Sequence, residues 1–291
     1  MINLEIPNKL NPIIAQAHVV GAAVFRPISR KYDRAEHSYP KELDMLAAVM
    51  DGFSEAGAGG GVSNVKQGSR DKSDKTVKNG ANMSTVLGMV ELCWGDTGLA
   101  LSIPRQGLGN AAVAAVATPE QKARWGQVWA AMAITEPGAG SDSAAIRTTA
   151  RLEGNEWVIN GEKIYVTAGE RATAVVVWAT LDRNMGRAAI KSFFVPKGSP
   201  GMQLVRLDKK LGIRASDTAV LSFNDCRIPK DNILGSPEID TKKGFGGVMQ
   251  TFDNTRPIVA AMALGVARAS LEVTETFLKE AGVDTRMRGS R

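Results

Sequence analysis

Residues Ala133–Ala145 read AITEPGAGSDSAA, and this stretch marks a change from helical to strand-like sequence patterns. Its glycines are typical of a phosphate-binding loop. A P-loop requires a lysine directly after its second glycine, but Gly140 is followed by Ser141 and Asp142. A dinucleotide-binding fingerprint requires a third glycine where this chain has Ser143, and a helix rather than strands afterwards. Both of these nucleotide motifs are therefore excluded.

Two interpretations of the glycine stretch remain. In the first, Pro137 and the two glycines only turn the chain between structural elements. In the second, the backbone N–H groups form an anion-binding nest, and the hydroxyls of Thr135 and Ser141 bind a phosphate or the polar edge of a ring. The spacing of the residues does not choose between them.

The sequence before this stretch, residues 1–130, is predicted to be a helical domain. Apolar residues recur at helical spacing after Pro40 and again from Val86 to Cys93. Thr118 and Gln121 have the spacing of a capping box around Pro119, which predicts a helix start.

Residues 131–238 are predicted to form a β domain. Short runs rich in β-branched and aromatic residues are separated by turn residues, among them Gly154 and the Asn160-Gly161 pair, which predicts a hairpin. Such spacing indicates an antiparallel barrel or sandwich. The predicted strands are Ala145–Leu152, Glu156–Ile159, Lys163–Thr167, Ala174–Leu181, Ile190–Val195 and Ala219–Asn224.

The helical period returns in residues 239–291, so the fold class is predicted as α+β. A broad apolar face extends from Val248 to Phe277, and Pro257 either kinks one helix or opens a second. This helix has no partner in the remaining sequence, which predicts association with another chain.

Composition limits the classes of function. The chain has 291 residues, 44% of them hydrophobic, and a formal net charge of +6, which fits a folded protein without a concentrated basic stripe. We therefore expect no nucleic-acid partner.

Cys93 and Cys226 lie apart from other metal-binding residues, so no metal site is expected and a reducing compartment is indicated. No secretory leader is recognised, and no apolar run is expected to reach the roughly 18 residues of a membrane span. The predicted location is cytoplasmic.

Five motifs, in order along the chain, resemble the acyl-CoA dehydrogenase family of flavoproteins: AITEPGAGSD, NGEKIYVTAG, LGIRASDT, FNDCRIPKDNILG and FDNTRP. The similarity covers roughly residues 83–280. It implies an N-terminal helical domain, a central β domain and a C-terminal four-helix bundle, usually in a tetramer. FAD then lies between the β domain and the bundle, and the acyl-CoA lies against the flavin ring.

The resemblance also assigns residues to the cofactor. Met132–Ser141 would line one edge of the flavin, with Ile134 and Thr135 nearest the ring and Gly140 and Ser141 nearest the pyrophosphate. A second segment, Tyr165-Val166-Thr167, would pack on the ring and hydrogen-bond near its hydride-accepting nitrogen. The cofactor residues are thus Met132, Ile134, Thr135, Gly140, Ser141, Tyr165, Val166 and Thr167.

For the substrate, the resemblance points to Ser141 and to the run Asp253-Asn254-Thr255-Arg256. Taken alone, Asp253 and Arg256 could equally form an ion pair on one helical face. The motif LGIRASDT is expected to hold the domain junction through Arg214, Ser216 and Asp217.

The implied reaction removes a proton from the α-carbon of an acyl-CoA and a hydride from its β-carbon, and gives trans-2-enoyl-CoA. In most of the family the base is a glutamate in the last bundle helices, which this sequence is expected to lack, and in a minority it lies where this chain has Thr255. No catalytic base is therefore assigned. The expected electron acceptor is an electron-transfer flavoprotein. The alternative is a non-catalytic subunit that acts through assembly, and a nucleotide-binding module without redox chemistry is a weaker third interpretation.

Overall fold

The computed structural model describes residues 6–55, 80–239 and 246–283 and confirms the α+β class. Its N-terminal part is helical, with a π-helical turn at Gly21–Phe25 between the first two helices. The helices are α1 (Asn11–Val20), α2 (Arg26–Arg34), α3 (Glu42–Glu55), α4 (Gly80–Gly95), α5 (Thr97–Ala100), α6 (Leu108–Val116) and α7 (Pro119–Trp125).

Helix α7 begins as the sequence predicts. The Thr118 hydroxyl accepts a hydrogen bond from the Gln121 N–H at 3.3 Å, and the Gln121 side chain accepts one from the Thr118 N–H at 3.1 Å. Pro119 occupies the first turn, where its missing N–H removes no helical hydrogen bond. The capping-box prediction is therefore confirmed.

The central part is a seven-stranded, mostly antiparallel sheet. The strands are β1 (Ala130–Ala133), β2 (Thr149–Glu153), β3 (Glu156–Thr167), β4 (Ala174–Thr180), β5 (Ile190–Pro196), β6 (Met202–Leu207) and β7 (Thr218–Pro229). They lie in the order β1-β4-β2-β3-β7-β6, with β5 also paired to β4, and β4 is parallel to β1 and β2.

Strand β4 separates two hydrophobic clusters. Val175 and Val177 point into a cluster formed with β3, β5 and β7, whereas Val176 and Trp178 point into one shared with α6, α7 and β1. Every residue of β4 is buried, which explains its nearly continuous apolar sequence.

The hairpin predicted at Asn160-Gly161 is wrong, because β3 continues through both residues. The Asn160 side chain bonds to Asp225 on the neighbouring β7 instead, donating to the carboxylate at 3.0 Å and accepting from the Asp225 N–H at 2.8 Å. Gly161 has φ of 152°, and a Cβ there would lie 2.4 Å from the Thr148 hydroxyl oxygen. The glycine therefore serves a close approach inside a bulged strand rather than a turn. Gly154, by contrast, lies in the β2–β3 hairpin as expected.

The last described element is a single helix, α8 (Gly246–Glu280), which continues through Pro257. It packs against α4 at Gly265, where a Cβ would lie 2.4 Å from the Val90 carbonyl oxygen. Arg268 on α8 also forms an ion pair with Glu91 on α4 at 2.6 Å, so the prediction that this helix has no partner within the chain is wrong. By length and composition alone, Thr251–Glu280 would suffice to cross a membrane, contrary to the sequence expectation. A helix that packs in a protein can pass the same test, so this finding carries no further conclusion.

Gly109 fixes the distance between α6 and β1, and its replacement by alanine is a test of the fold. The new Cβ would lie 2.2 Å from the Ala130 carbonyl oxygen and 2.3 Å from that of Ala131. We expect Gly109→Ala to lower the free energy of unfolding by about 3 kcal/mol, because two backbone segments must separate. Urea unfolding measures this change.

The matched control is Gly88→Ala in α4. A Cβ at Gly88 meets only the Ala17 methyl at 3.9 Å, so alanine is expected to stabilise the helix by up to about 1 kcal/mol. Equal effects of the two substitutions would contradict the close α6–β1 contact.

Candidate functional site

The glycine stretch forms a loop that is tied to β3. The Thr135 carbonyl accepts a hydrogen bond from the Ile164 N–H at 2.9 Å. Within the loop, the backbones of Glu136 and Ala139 bond to each other in both directions, at 3.0 and 3.1 Å. This pairing narrows the loop and turns Gly138, Gly140 and Ser141 to the surface. We call residues 134–141 the glycine loop.

Gly138 and Gly140 are not required by the packing of the protein. An added Cβ would meet no atom within 4 Å at either position, and neither residue has a positive φ. Glycine without an internal structural reason is expected where a ligand approaches the backbone closely. The backbone of these exposed glycines and the exposed Ser141 therefore suit a phosphate or pyrophosphate group.

A β-bulge in β3 brings an aromatic ring beside this loop. Trp157 and Ile159 alternate into the core, but the register with β7 shifts between Lys163 and Val166, so Val166 turns inward instead of Tyr165. Tyr165 is consequently 66% exposed, and its φ of 58° is the left-handed conformation. An aromatic residue is unfavourable there, so this backbone places an exposed ring at an energetic cost. We call residues 164–167 the bulge segment.

A buried ion pair lies beneath the glycine loop. The Lys163 ammonium donates to the Ile134 carbonyl at 2.9 Å and to the Glu136 carboxylate at 2.8 Å, and the two side chains are 0% and 7% exposed. The same carboxylate accepts from the Arg147 N–H, the Thr148 N–H and the Thr148 hydroxyl at 2.6, 2.9 and 2.6 Å. Glu136 therefore closes the loop at its base and joins it to β3.

Burial and the partner charge act against each other in this pair. Burial lowers the pKa of Lys163 to about 8, although the Glu136 charge opposes the shift. Burial also raises the pKa of Glu136, but the Lys163 charge and the hydrogen bonds from Lys163, Thr148 and Arg147 outweigh it, so the carboxyl pKa lies below its usual value. The contact of 2.8 Å between the two groups has the geometry of an ion pair.

The predicted substrate residues lie on α8. Thr255 is 5% exposed, and its hydroxyl donates to the Thr251 carbonyl at 3.1 Å. Asp253 and Arg256 are exposed, and the Arg256 guanidinium lies 5.4 Å from the Phe252 ring centroid. No ion pair between Asp253 and Arg256 is seen among the described residues, and the Asn254 side chain lies outside them. Phe252 packs against the cluster that contains Met132 and Ile134, so this part of α8 lies next to the glycine loop.

Comparison with known proteins supports the family resemblance. The family described as "Acyl-CoA dehydrogenase, middle domain" matches residues 131–226. Over 166 residues the chain is 45% identical to the mitochondrial short-chain specific acyl-CoA dehydrogenase of Bos taurus. The chain is therefore similar to acyl-CoA dehydrogenases. This match covers 55% of the chain and 39% of the bovine protein. The short-chain specific acyl-CoA dehydrogenase of Clostridium acetobutylicum is 40% identical over 169 residues, which are 56% of the chain and 44% of that protein.

Solved structures extend the likeness over the whole fold. The butyryl-CoA dehydrogenase of Megasphaera elsdenii superposes with a TM-score of 0.78 at 25% identity, covering 100% of this chain and 72% of that one. A glutaryl-coenzyme A dehydrogenase in complex with glutaryl-CoA gives a TM-score of 0.79 at 22% identity, over 99% of this chain and 70% of the other, and shows the fold alone.

The site residues inferred from the acyl-CoA dehydrogenase motifs fall into two groups in the structure. The side chains of Met132, Ile134 and Val166 are buried in the hydrophobic clusters, so they are not available to contact a ligand at the surface. The others offer exposed or half-exposed atoms: Thr135, Gly140, Ser141, Tyr165 and Thr167.

The LGIRASDT motif joins the helical and β parts of the chain through Arg214 and Asp217, two of the three residues expected there. The Arg214 guanidinium donates to Glu36 at 3.3 Å. Asp217 is buried and forms an ion pair with Arg171 at 3.3 Å, and Arg171 in turn donates to the Ser38 carbonyl at 2.9 Å. Sequence reasoning missed Arg171, which lies outside the motif.

Proposed function

We propose that the chain binds FAD and serves the α,β-dehydrogenation of a short-chain acyl-CoA thioester. The observation that carries this proposal is the open glycine loop beside Tyr165, an exposed ring held in a left-handed backbone conformation. Neither feature is explained by the packing of the protein itself. Both suit FAD, which needs backbone donors for its pyrophosphate and an aromatic surface for its ring.

The reaction removes two hydrogens from the substrate, one as a proton and one as a hydride. The chemistry that FAD supplies when bound is acceptance of a hydride from the β-carbon. The chain contributes donors at the glycine loop and the hydroxyls of Thr135 and Thr167, whose fixed dipoles stabilise charge that develops on the ring. Asp253 and Arg256, exposed on the same side of α8 one turn apart, are available to bind the CoA thioester.

Tyr165 is expected to strengthen FAD binding while its left-handed backbone conformation lowers the stability of the fold. Tyr165→Gly should weaken FAD binding about fivefold, because a stacked ring contributes about 1 kcal/mol. The free energy of unfolding should not fall, because glycine adopts the positive φ without the cost of about 1–2 kcal/mol that a side chain incurs. A fluorescence titration with FAD and a urea titration measure the two effects.

Tyr165→Trp is the matched control, since it keeps a ring at the same position. It should keep FAD affinity near that of the wild type. Equal affinity of the wild type and Tyr165→Gly would contradict stacking by Tyr165.

The reaction itself is tested by anaerobic addition of butyryl-CoA to the FAD-loaded chain. Loss of the flavin absorbance near its visible maximum would support dehydrogenation. Bound FAD that keeps its absorbance would favour the second candidate, a non-catalytic subunit of a hetero-oligomer. The observation favouring that candidate is Thr255, because a buried threonine hydroxyl that donates within its own helix cannot act as a base.

We further propose that electrons pass to an electron-transfer flavoprotein and that the chain works in an oligomer. Support for the first comes from a chain, 29% identical with a TM-score of 0.77, in the structure of the electron transferring flavoprotein of Acidaminococcus fermentans. Support for the second is the row of exposed apolar side chains on α8, which includes Val259, Leu264, Leu271 and Phe277.

A further inference from the structure

The glycine loop and the bulge segment are held together by three consecutive residues of the loop. The Ile134 carbonyl accepts from Lys163, the Thr135 carbonyl accepts from the Ile164 N–H, and the Glu136 carboxylate accepts from Lys163. Only the middle bond is an ordinary backbone contact. The two outer bonds both come from one ammonium group, on the residue directly before the bulge segment.

A lysine in this position is costly without its partners. Lys163 is fully buried, and an unpaired buried ammonium would be strongly destabilising. An apolar side chain would fill the same space without that risk, as Trp157 and Ile159 do on the same face of β3. The feature that an apolar residue cannot supply is a pair of hydrogen bonds to the glycine loop.

The geometry assigns Lys163 the role of a positioning residue for FAD, which, together with Glu136, fixes the spacing between the glycine loop and the bulge segment. This inference rests on the proposed function. Lys163 acts through Ile134 and Glu136 and need not touch the cofactor. Loss of the ammonium would leave the Ile134 carbonyl without this donor, so the loop would be free to move relative to Tyr165.

The test uses the 291-residue chain and FAD as the probe. We expect Lys163→Met to raise the FAD dissociation constant about tenfold, the effect of one net hydrogen bond, and to change the visible circular dichroism of the bound flavin. Lys163→Met also leaves the Glu136 charge buried without its cation, so its melting temperature should fall.

A double variant separates positioning from stability. In Lys163→Met/Glu136→Gln the uncompensated charge is gone, so the melting temperature should recover in part. Recovery is incomplete because the amide has one acceptor oxygen where the carboxylate accepts from both Arg147 and Thr148. The Ile134 carbonyl still lacks its donor, so FAD affinity and the flavin circular dichroism should remain altered. If Lys163→Met itself does not fold, the double variant gives the same readout.

Trp157→Phe is the matched control at the other end of β3. It removes the indole donor to the Lys230 carbonyl, a bond of 3.0 Å, about 20 Å along the strand from Lys163. It should lower stability and leave FAD binding unchanged. Three results would overturn the inference: wild-type affinity and circular dichroism in the Lys163 variants, recovery of stability and affinity together in the double variant, or an equal loss of affinity in the control. Failure of the wild type to bind FAD would instead overturn the proposed function and the inference with it.

Discussion

Replacement of Thr255 by glutamate is expected to accelerate flavin reduction by butyryl-CoA about 10²–10⁴-fold. This is the range that a positioned general base contributes. Thr255 lies on α8 at the position that the family resemblance gives to the base in a minority of members, and Phe252 one turn away packs near the glycine loop. A carboxylate at residue 255 would therefore lie on the part of α8 next to the proposed flavin site.

The environment of Thr255 suits such a base. The side chain is buried, and burial raises the pKa of a carboxyl group toward neutrality, where a general base is most effective. The substitution should lower the free energy of unfolding by about 1–3 kcal/mol, because a larger polar group enters a packed helix face. Stopped-flow absorbance of the anaerobic, FAD-loaded variant measures the rate.

Thr255→Gln is the control for the glutamate variant, since it has nearly the same size and no basic group. It should show no acceleration. An equal rate for glutamate, glutamine and threonine at this position would contradict the assignment of residue 255 to the α-carbon of the substrate.

Gly140→Val is expected to weaken FAD binding about a hundredfold without loss of stability. A Cβ at Gly140 meets no protein atom within 4 Å, so the free energy of unfolding should change by less than about 0.5 kcal/mol. A bound pyrophosphate, however, would lie against this backbone, and the added methyl groups would overpack the contact by about 2–3 kcal/mol. Equilibrium dialysis with FAD and a urea titration measure the two effects.

Gly212→Val is the matched control, because Gly212 also has open space and no positive φ but lies outside both proposed flavin segments. It should bind FAD as the wild type does. Unchanged affinity in Gly140→Val would mean that the glycine loop only turns the chain, the interpretation that the sequence left open.

The elements with strong local signals are predictable from the sequence. The capping box at Thr118 and the turn at Gly154 define their elements through contacts within a few residues. Strand β1 was missed because its sequence, AAMA, has no β-branched residue, and only burial on both faces makes it a strand. Strand β6, whose middle residues are exposed, has no alternation to reveal it.

The hairpin at Asn160-Gly161 shows why local reasoning fails inside this sheet. The pair has the composition of a tight turn. In the structure, however, the Asn160 amide bonds to the distant Asp225, and the distant Thr148 packs where a Cβ of residue 161 would lie. Tertiary contacts therefore override the turn preference.

The motifs of the candidate site could be predicted from the sequence, but the buried contacts that hold them in place could not. Thr135, Ser141 and Tyr165 are recognisable from the resemblance, whereas the Lys163–Glu136 pair joins residues 27 positions apart. The sequence does indicate that Lys163 is buried, because strand alternation places it on the same face as Trp157 and Ile159, which point into the core. Its partner could not be found without the path of the glycine loop, and the bulge that exposes Tyr165 depends on pairing with β7.

Binding of FAD to the wild-type chain, compared with Gly140→Val and Tyr165→Gly, is the measurement that shows whether the glycine loop and Tyr165 hold the cofactor. Equilibrium dialysis gives the affinity, and the visible spectrum of the bound flavin reports its surroundings. We expect the wild type to bind FAD with a perturbed flavin spectrum, and both variants to bind more weakly while remaining as stable as the wild type. Folded wild-type chain that binds no FAD, or variants that bind it equally well with the same spectrum, would contradict this expectation.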